Sequence, residues 1–194
     1  MKLLIKSLII LYVVKIILVP VIVLANTQVS YVHSNLIPHR AFYSISMGNS
    51  EDPEKFIDVK GIVHASIEKT CDGWITSEQI KMKVFLQSNR QWNQNLKYTG
   101  WESFDGKKYR FATHSSNNGE VIKYRGAAST FENNSGQAIY SEPKKLIMKI
   151  PSETKFYSGL TSWLIKKAKA GTRRAETIIF DGTDLEGPQK VISS

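Results

Sequence analysis

Apolar side chains fall at every second position from Ile57 to Ile67, where Ile57, Val59, Gly61, Val63, Ala65 and Ile67 alternate with more polar neighbours. The same period resumes with Trp74, Thr76, Ile80, Met82, Val84 and Leu86. A two-residue repeat of this kind marks strands with one face buried and the other wet. Asp72-Gly73 lies between the two runs, inside Thr70-Cys71-Asp72-Gly73-Trp74, and reads as the tip of a hairpin. An Asp-Gly step accepts the positive φ angles of a type I′ turn, which reverses two strands without splaying them. The dipeptide returns at Asp105-Gly106 and Asp181-Gly182, so hairpin punctuation dominates the chain.

The remaining segments extend this meander. Residues 26–38 show no sustained period and read as a loop or short helix; His39 to Met47 alternates as a strand and stops at the turn cluster 48–53. Ser88 to Asn95 is a polar insertion carrying Trp92, expected to be an exposed loop. Tyr98–Phe104 and Lys108–His114 flank Asp105-Gly106 as a second hairpin, and residues 115–119 turn the chain into a strand over Glu120–Thr130. Residues 133–136 make another turn, followed by short strands at Gln137–Ser141 and Lys144–Ile150, separated at Pro143. The period then changes: Leu160, Trp163, Leu164 and Ala168 predict one helix near Leu160–Ala170, with Ser158 or Thr161 as cap, Gly171 as stop and Lys166, Lys167 and Lys169 complementing its C-terminal dipole. Thr172–Phe180 returns to strand pattern, and Asp181-Gly182 opens a hairpin that the short remainder hardly closes. The fold class is mainly β, an antiparallel meander with one helix.

Composition narrows the compartment. Lys2 and Lys6 precede an apolar run from Ser7 to Leu24 that ends at Val23-Leu24-Ala25, the pattern of a secretory signal peptide over residues 1–25, with maturation at Asn26. The run is also close to membrane-spanning length, so an uncleaved anchor is the alternative; Lys15 and Pro20 weigh against it. Either way residues 26–194 leave the cytoplasm as one domain, and 42% hydrophobic with 22% charged residues is ordinary for a globular chain. The formal charge of +9 favours anionic partners, though three of those lysines lie in the leader. Lys and Arg are interleaved with strand residues rather than gathered in a tail or basic helix, which gives nucleic-acid binding little support. Cys71 is the one cysteine; in an exported chain that points to an intermolecular bridge, a free thiol or an absent partner segment, beside the plain alternative of a small buried residue near Trp74.

Several words, in order and at consistent spacing, carry a family resemblance: Pro38-His39-Arg40-Ala41-Phe42-Tyr43, Cys71-Asp72-Gly73-Trp74, Glu102-Ser103-Phe104-Asp105-Gly106, Arg125-Gly126-Ala127-Ala128, Ala168-Lys169-Ala170-Gly171 and Phe180-Asp181-Gly182. With them the chain resembles the EipB family, periplasmic cell-envelope integrity proteins of Gram-negative bacteria assigned to a domain of unknown function. The resemblance implies a spiral of antiparallel strands built from two half-open barrels. It also implies that Cys71 has a disulfide partner near the family's C-terminus, in a second set of strands for which this chain has no counterpart past Asp181-Gly182. The chain thus looks like the N-terminal half of such a protein. Strand Thr172–Phe180 is then expected to expose a sheet edge and to promote self-association.

The chemistry-bearing residues suggest no enzyme. His33, His39, His64 and His114 lack metal-ligand spacing, no nucleophile elbow is present, and Asp72, Glu102 and Asp105 lie in turn contexts that explain them. Nothing calls for a cofactor. Trp74, Trp92, Trp101 and Trp163, with Tyr98 and Tyr109, either line a concave half-barrel for a glycan, an acyl chain or a peptide, or form the core; burial of both Trp74 and Trp101 is expected. His39 and Arg40 are candidates for an anionic group or for a structural hydrogen-bonded pair. The resemblance implies a non-catalytic role in envelope integrity, acting on an envelope component or periplasmic protein; the alternatives are a lipid- or glycan-binding module and an envelope hydrolase.

Overall fold

The structure, a computed structural model, describes residues 36–48, 56–87, 90–131 and 135–193. The expected signal peptide over residues 1–25, most of the segment 26–38, and the centres of the turns at 48–53 and 133–136 lie outside those residues. Eight strands, β1 (His39–Ser46), β2 (Phe56–Lys69), β3 (Gly73–Leu86), β4 (Gln91–Ser103), β5 (Lys108–Asn117), β6 (Glu120–Thr130), β7 (Gly136–Glu142) and β8 (Leu146–Ile150), form one antiparallel sheet in sequence order. The helix α1 (Tyr157–Lys169) follows, then the separate hairpin of β9 (Ala175–Ile179) and β10 (Gln189–Ser193). The large sheet does not close on itself, because β1 and β8 do not pair.

One face of the sheet is the core. Tyr98 on β4, Tyr109 and Phe111 on β5, Ala128 on β6, Ala138 and Tyr140 on β7 and Ile150 on β8 are buried together, sealed by Phe156 before the helix and Phe180 after β9. Successive side chains on a strand point to opposite faces, so the register carries this inner face from strand to strand. Helix α1 approaches β3, β4 and β9. It ends as expected, with Gly171 at φ +70 and Lys166, Lys167 and Lys169 in its last turn.

Four local expectations need correction. Neither Asp72 nor Gly73 takes a positive φ; the loop is closed by Thr70, whose amide donates to the Gly73 carbonyl at 2.9 Å and whose hydroxyl accepts from the Gly73 amide at 3.0 Å. Gly73 is needed for close approach instead, since a Cβ there would sit 2.2 Å from the Glu102 carbonyl oxygen. The left-handed pair belongs to Asn118 (φ +49) and Gly119 (φ +91), after a β5 that runs three residues past His114. Gln91–Asn95 is strand, not loop: Trp92 pairs with Val84 and shares the inner face with Leu96, while the amide of Asn93 donates to the Asn118 side chain at 2.8 Å. Gln94, polar although it lies between Trp92 and Leu96 on the inner face opposite Met82, hides that alternation in the sequence. Finally, the hairpin after Phe180 does close: β10 pairs with β9 from Gln189↔Ile179 to Ser193↔Ala175, covering the edge expected to lie open on Thr172–Phe180.

Candidate functional site

Alternation along β4 turns Tyr98 and Glu102 inward, and Glu102 lies opposite Trp74 on one side and Tyr109 on the other. A carboxylate at such a position must find donors, because an unpaired buried charge is costly. It finds them at α1. Ser158 donates its amide (2.8 Å) and its hydroxyl (2.5 Å) to one oxygen of Glu102, and the Gly159 amide reaches both oxygens at 3.2 and 3.1 Å. The helix has no acid in its first turn and no side-chain hydrogen bond from its N-cap, Phe156. Glu102 therefore supplies from another element the anion that satisfies the first amides and complements the helix dipole. This corrects both the turn reading of Glu102 and the proposed Ser158 or Thr161 cap: Ser158 bonds to Glu102, and Thr161 donates to the Tyr157 carbonyl at 3.0 Å.

Beside this carboxylate runs a chain of buried phenols. Tyr109 donates to the Asp181 carbonyl at 3.1 Å, which leaves its oxygen to accept from Tyr98, with which it is hydrogen-bonded. Tyr140 donates to the Asp184 carbonyl at 2.7 Å. The segment between β9 and β10 is thereby tied to the sheet, with Gly182 (φ +74) lying against the Phe111 ring. Tyr109 stacks on Phe156 at 4.7 Å between ring centres, and Tyr98 on Tyr157 at 5.6 Å. Burial pushes Tyr98, Tyr109, Tyr140 and Tyr157 above the ordinary phenol value of 10.0, and nearby carboxylates add to the effect at all four, Glu78 being the one beside Tyr157. Burial also raises the Glu78 carboxyl and lowers Lys155. These phenols stay neutral at physiological pH and act as hydrogen-bond donors and packing surface.

The sequence-predicted residues do not converge on one site. Trp74 is buried at 3% exposure on the inner face. Trp101 is not its neighbour: it pairs with Ile75, one step out of phase, and lies on the outer face, half-buried under the Arg110 guanidinium at 5.1 Å. The expected burial thus holds for Trp74 and only in part for Trp101, and the two cannot line one concavity. Trp92 is half-buried, and Trp163 on α1 is flanked by Lys155 and Lys167. His39 and Arg40 sit at the start of the exposed edge strand β1 without bonding one another; the His39 ring meets the Ile37 carbonyl at 2.7 Å and Arg40 pairs with Glu68 at 3.1 Å. Cys71 is a free, exposed thiol in the β2–β3 loop, not a small buried residue. What sequence reasoning missed is Glu102 with Ser158 and Gly159, for which no local signal exists.

The inner face between β1 and β4 is less filled. Val63 lies opposite Tyr43 on one side and Ile80 on the other, and Ile80 faces Leu96; this row is half-buried except Tyr43, which is 58% exposed. It forms an apolar shelf beside Glu78. Among the described residues no group of three or more His, Cys, Asp or Glu side chains gathers at metal-binding distance.

Comparison with known proteins agrees with this architecture. The chain is 25% identical over 150 residues to the cell envelope integrity protein EipB of Brucella abortus, an alignment covering 77% of this chain and 53% of that protein. It thus spans about half the length of that curated relative. A crystal structure of a β-barrel-like protein of a domain of unknown function from Brucella abortus superposes with a TM-score of 0.69 at 25% identity, covering 77% of this chain and 63% of the other. The EipB-like family model matches residues 31–193, which takes in all of the described residues, and the chain belongs to that family.

Proposed function

We propose that this protein is exported to the periplasm and contributes to cell-envelope integrity without catalysing a reaction. The observation that carries the reading is membership of the EipB-like family over residues 31–193, together with a relative named for envelope integrity. The charged leader and apolar run ending at Ala25 support export. The site's chemistry supports a non-catalytic role: the buried carboxylate Glu102 is bound by the amides of α1, and the adjoining phenols are held neutral and bonded to backbone carbonyls. A general acid or base needs a group free to exchange its proton with a substrate. The experiment is deletion of the coding sequence, followed by challenge with detergent and complementation. Sensitivity restored by the full chain, but not by a chain lacking residues 1–25, is the expected result; a deletion strain indistinguishable from the parent overturns it.

A second reading, a module that binds a lipid chain or glycan, is favoured by the apolar shelf of Tyr43, Val63, Ile80 and Leu96. Mass spectrometry of material extracted from the purified protein tests it, and Val63→Asp should abolish retention of any such ligand.

A further inference from the structure

The basic residues that look scattered in the sequence share one surface. Alternation and register turn Lys60, Lys81, Lys83, Lys97 and Lys123 to the outer face of the sheet, opposite the core, and all five are exposed. Lys60 lies directly across from Lys83, and Lys97 across from His114, which in turn faces Lys123. Like charges set directly opposite one another on a sheet destabilise it, so the facing of Lys60 and Lys83 is in itself no gain for the fold. Its acids are already engaged: Asp58 pairs with Lys60, Glu68 with Arg40 and Glu142 with Arg125. Among the described residues no carboxylate pairs with Lys81, Lys83, Lys97 or Lys123.

Apolar side chains stand among these cations. Phe42 is 77% exposed and stacks at 4.4 Å on His64; Ile62 is 58% exposed and faces Lys81 across the strand pair. The row Phe42, His64, Gln79, Lys97, His114 and Lys123 crosses from β1 to β6. At the usual strand spacing that is a surface roughly 24 Å wide. A linear polyanion would be served by a narrow track of charge. A broad field of lysines with interspersed protruding apolar groups complements a bilayer, whose anionic headgroups meet the cations while the apolar groups enter the headgroup boundary.

We infer that the outer face of β1–β6 docks on the surface of a membrane containing anionic phospholipid. The inference deepens the envelope role proposed above and rests on it for access to such a membrane. The test is sedimentation of the full chain with vesicles of phosphatidylglycerol and phosphatidylethanolamine, against vesicles of phosphatidylcholine. The apolar leader is common to every variant, so the quantity read is the ratio of anionic to neutral binding. Replacing Lys81, Lys83, Lys97 and Lys123 by Gln should lower that ratio about a hundredfold or more, at roughly 1 kcal/mol for each lysine near a charged surface. The control carries Gln at Lys144, Lys166, Lys167 and Lys169, which removes the same charge from elsewhere and should leave the ratio within about threefold of the unmodified chain. The unmodified ratio should also fall steeply as salt rises, a readout that needs no variant.

Equal loss in the two variants, or a ratio near one for the unmodified chain, overturns the inference. So does displacement from anionic vesicles by a soluble anionic polysaccharide at equal charge concentration, which would make the occupant a glycan. A chain that rescues the deletion strain yet shows no preference for anionic vesicles refutes the docking surface while leaving the envelope role standing.

Discussion

Glu102 on β4 caps the helix that begins beside Ser158, fifty-six residues later, by accepting both the amide and the hydroxyl of that serine. The contact joins the middle of the sheet to the start of α1 and fixes the helix over the phenol chain. Glu102→Ala is expected to lower stability by about 3 kcal/mol, since buried donors lose a charged acceptor at once. Glu102→Gln, which keeps the shape and one acceptor oxygen, should cost about half as much. Urea unfolding of the two variants checks the order; equal costs would attribute the effect to volume rather than to the charge.

Gly73→Ala should destabilise the protein by about 1–3 kcal/mol, through the overpacking that a methyl 2.2 Å from the Glu102 carbonyl oxygen imposes. At Gly119 the same change meets nothing within 4 Å but occupies φ +91, so its cost, about 1 kcal/mol, is backbone strain. Thermal melts of the two variants distinguish the causes if a second change, Trp101→Phe, is added, because the Trp101 indole nitrogen also crowds the Gly73 methyl while nothing near Gly119 does. Partial recovery is expected at position 73 alone.

Alkaline pH should weaken the fold. The folded-state values of Tyr98, Tyr109 and Tyr140 lie above the ordinary 10.0, so the unfolded chain releases these protons first as pH rises. Their contribution to stability is therefore constant below about pH 10 and falls progressively above it. Denaturant midpoints measured from pH 8 to 11.5 check this, and Tyr140→Phe, about 1 kcal/mol less stable at neutral pH, should show a shallower alkaline decline.

Trp74 and Trp101, on the adjacent strands β3 and β4, should differ in solution. In variants retaining a single tryptophan, iodide is expected to quench Trp101 several times more strongly than Trp74, since Trp74 is 3% exposed and Trp101 lies half-buried on the outer face beside Arg110. Equal and weak quenching would place both in the core and contradict the register.

Cys71 should react with a small thiol reagent in the native protein as fast as it does in urea, because the thiol is already exposed in its loop. A native rate slowed more than about tenfold would mean that the loop is covered.

Most of the strands were legible in the chain because a half-buried strand writes its environment locally: Ile57 to Ile67 and Trp74 to Leu86 alternate whatever they pair with. The helix was legible for the same reason, as were its basic last turn and its Gly171 stop. The family words, too, were matters of local sequence. Where a contact spans distant segments, that legibility ends. Gln91–Asn95 looked like a loop because its neighbours across the sheet, not its own composition, make it a strand. Thr172–Phe180 looked unpartnered because Gln189–Ser193 is too short to announce itself without the strand it completes. Nothing near Glu102 in sequence marks it as a helix cap, and nothing near Trp74 and Trp101 says that they take opposite faces. That choice depends on hydrogen-bond register, in which a shift of one residue inverts every side chain. The same register decides the charge pattern: lysines spaced along four strands are dilute in sequence, and only lateral pairing of those strands brings them onto one face, because strands lie closer together than like charges would otherwise settle.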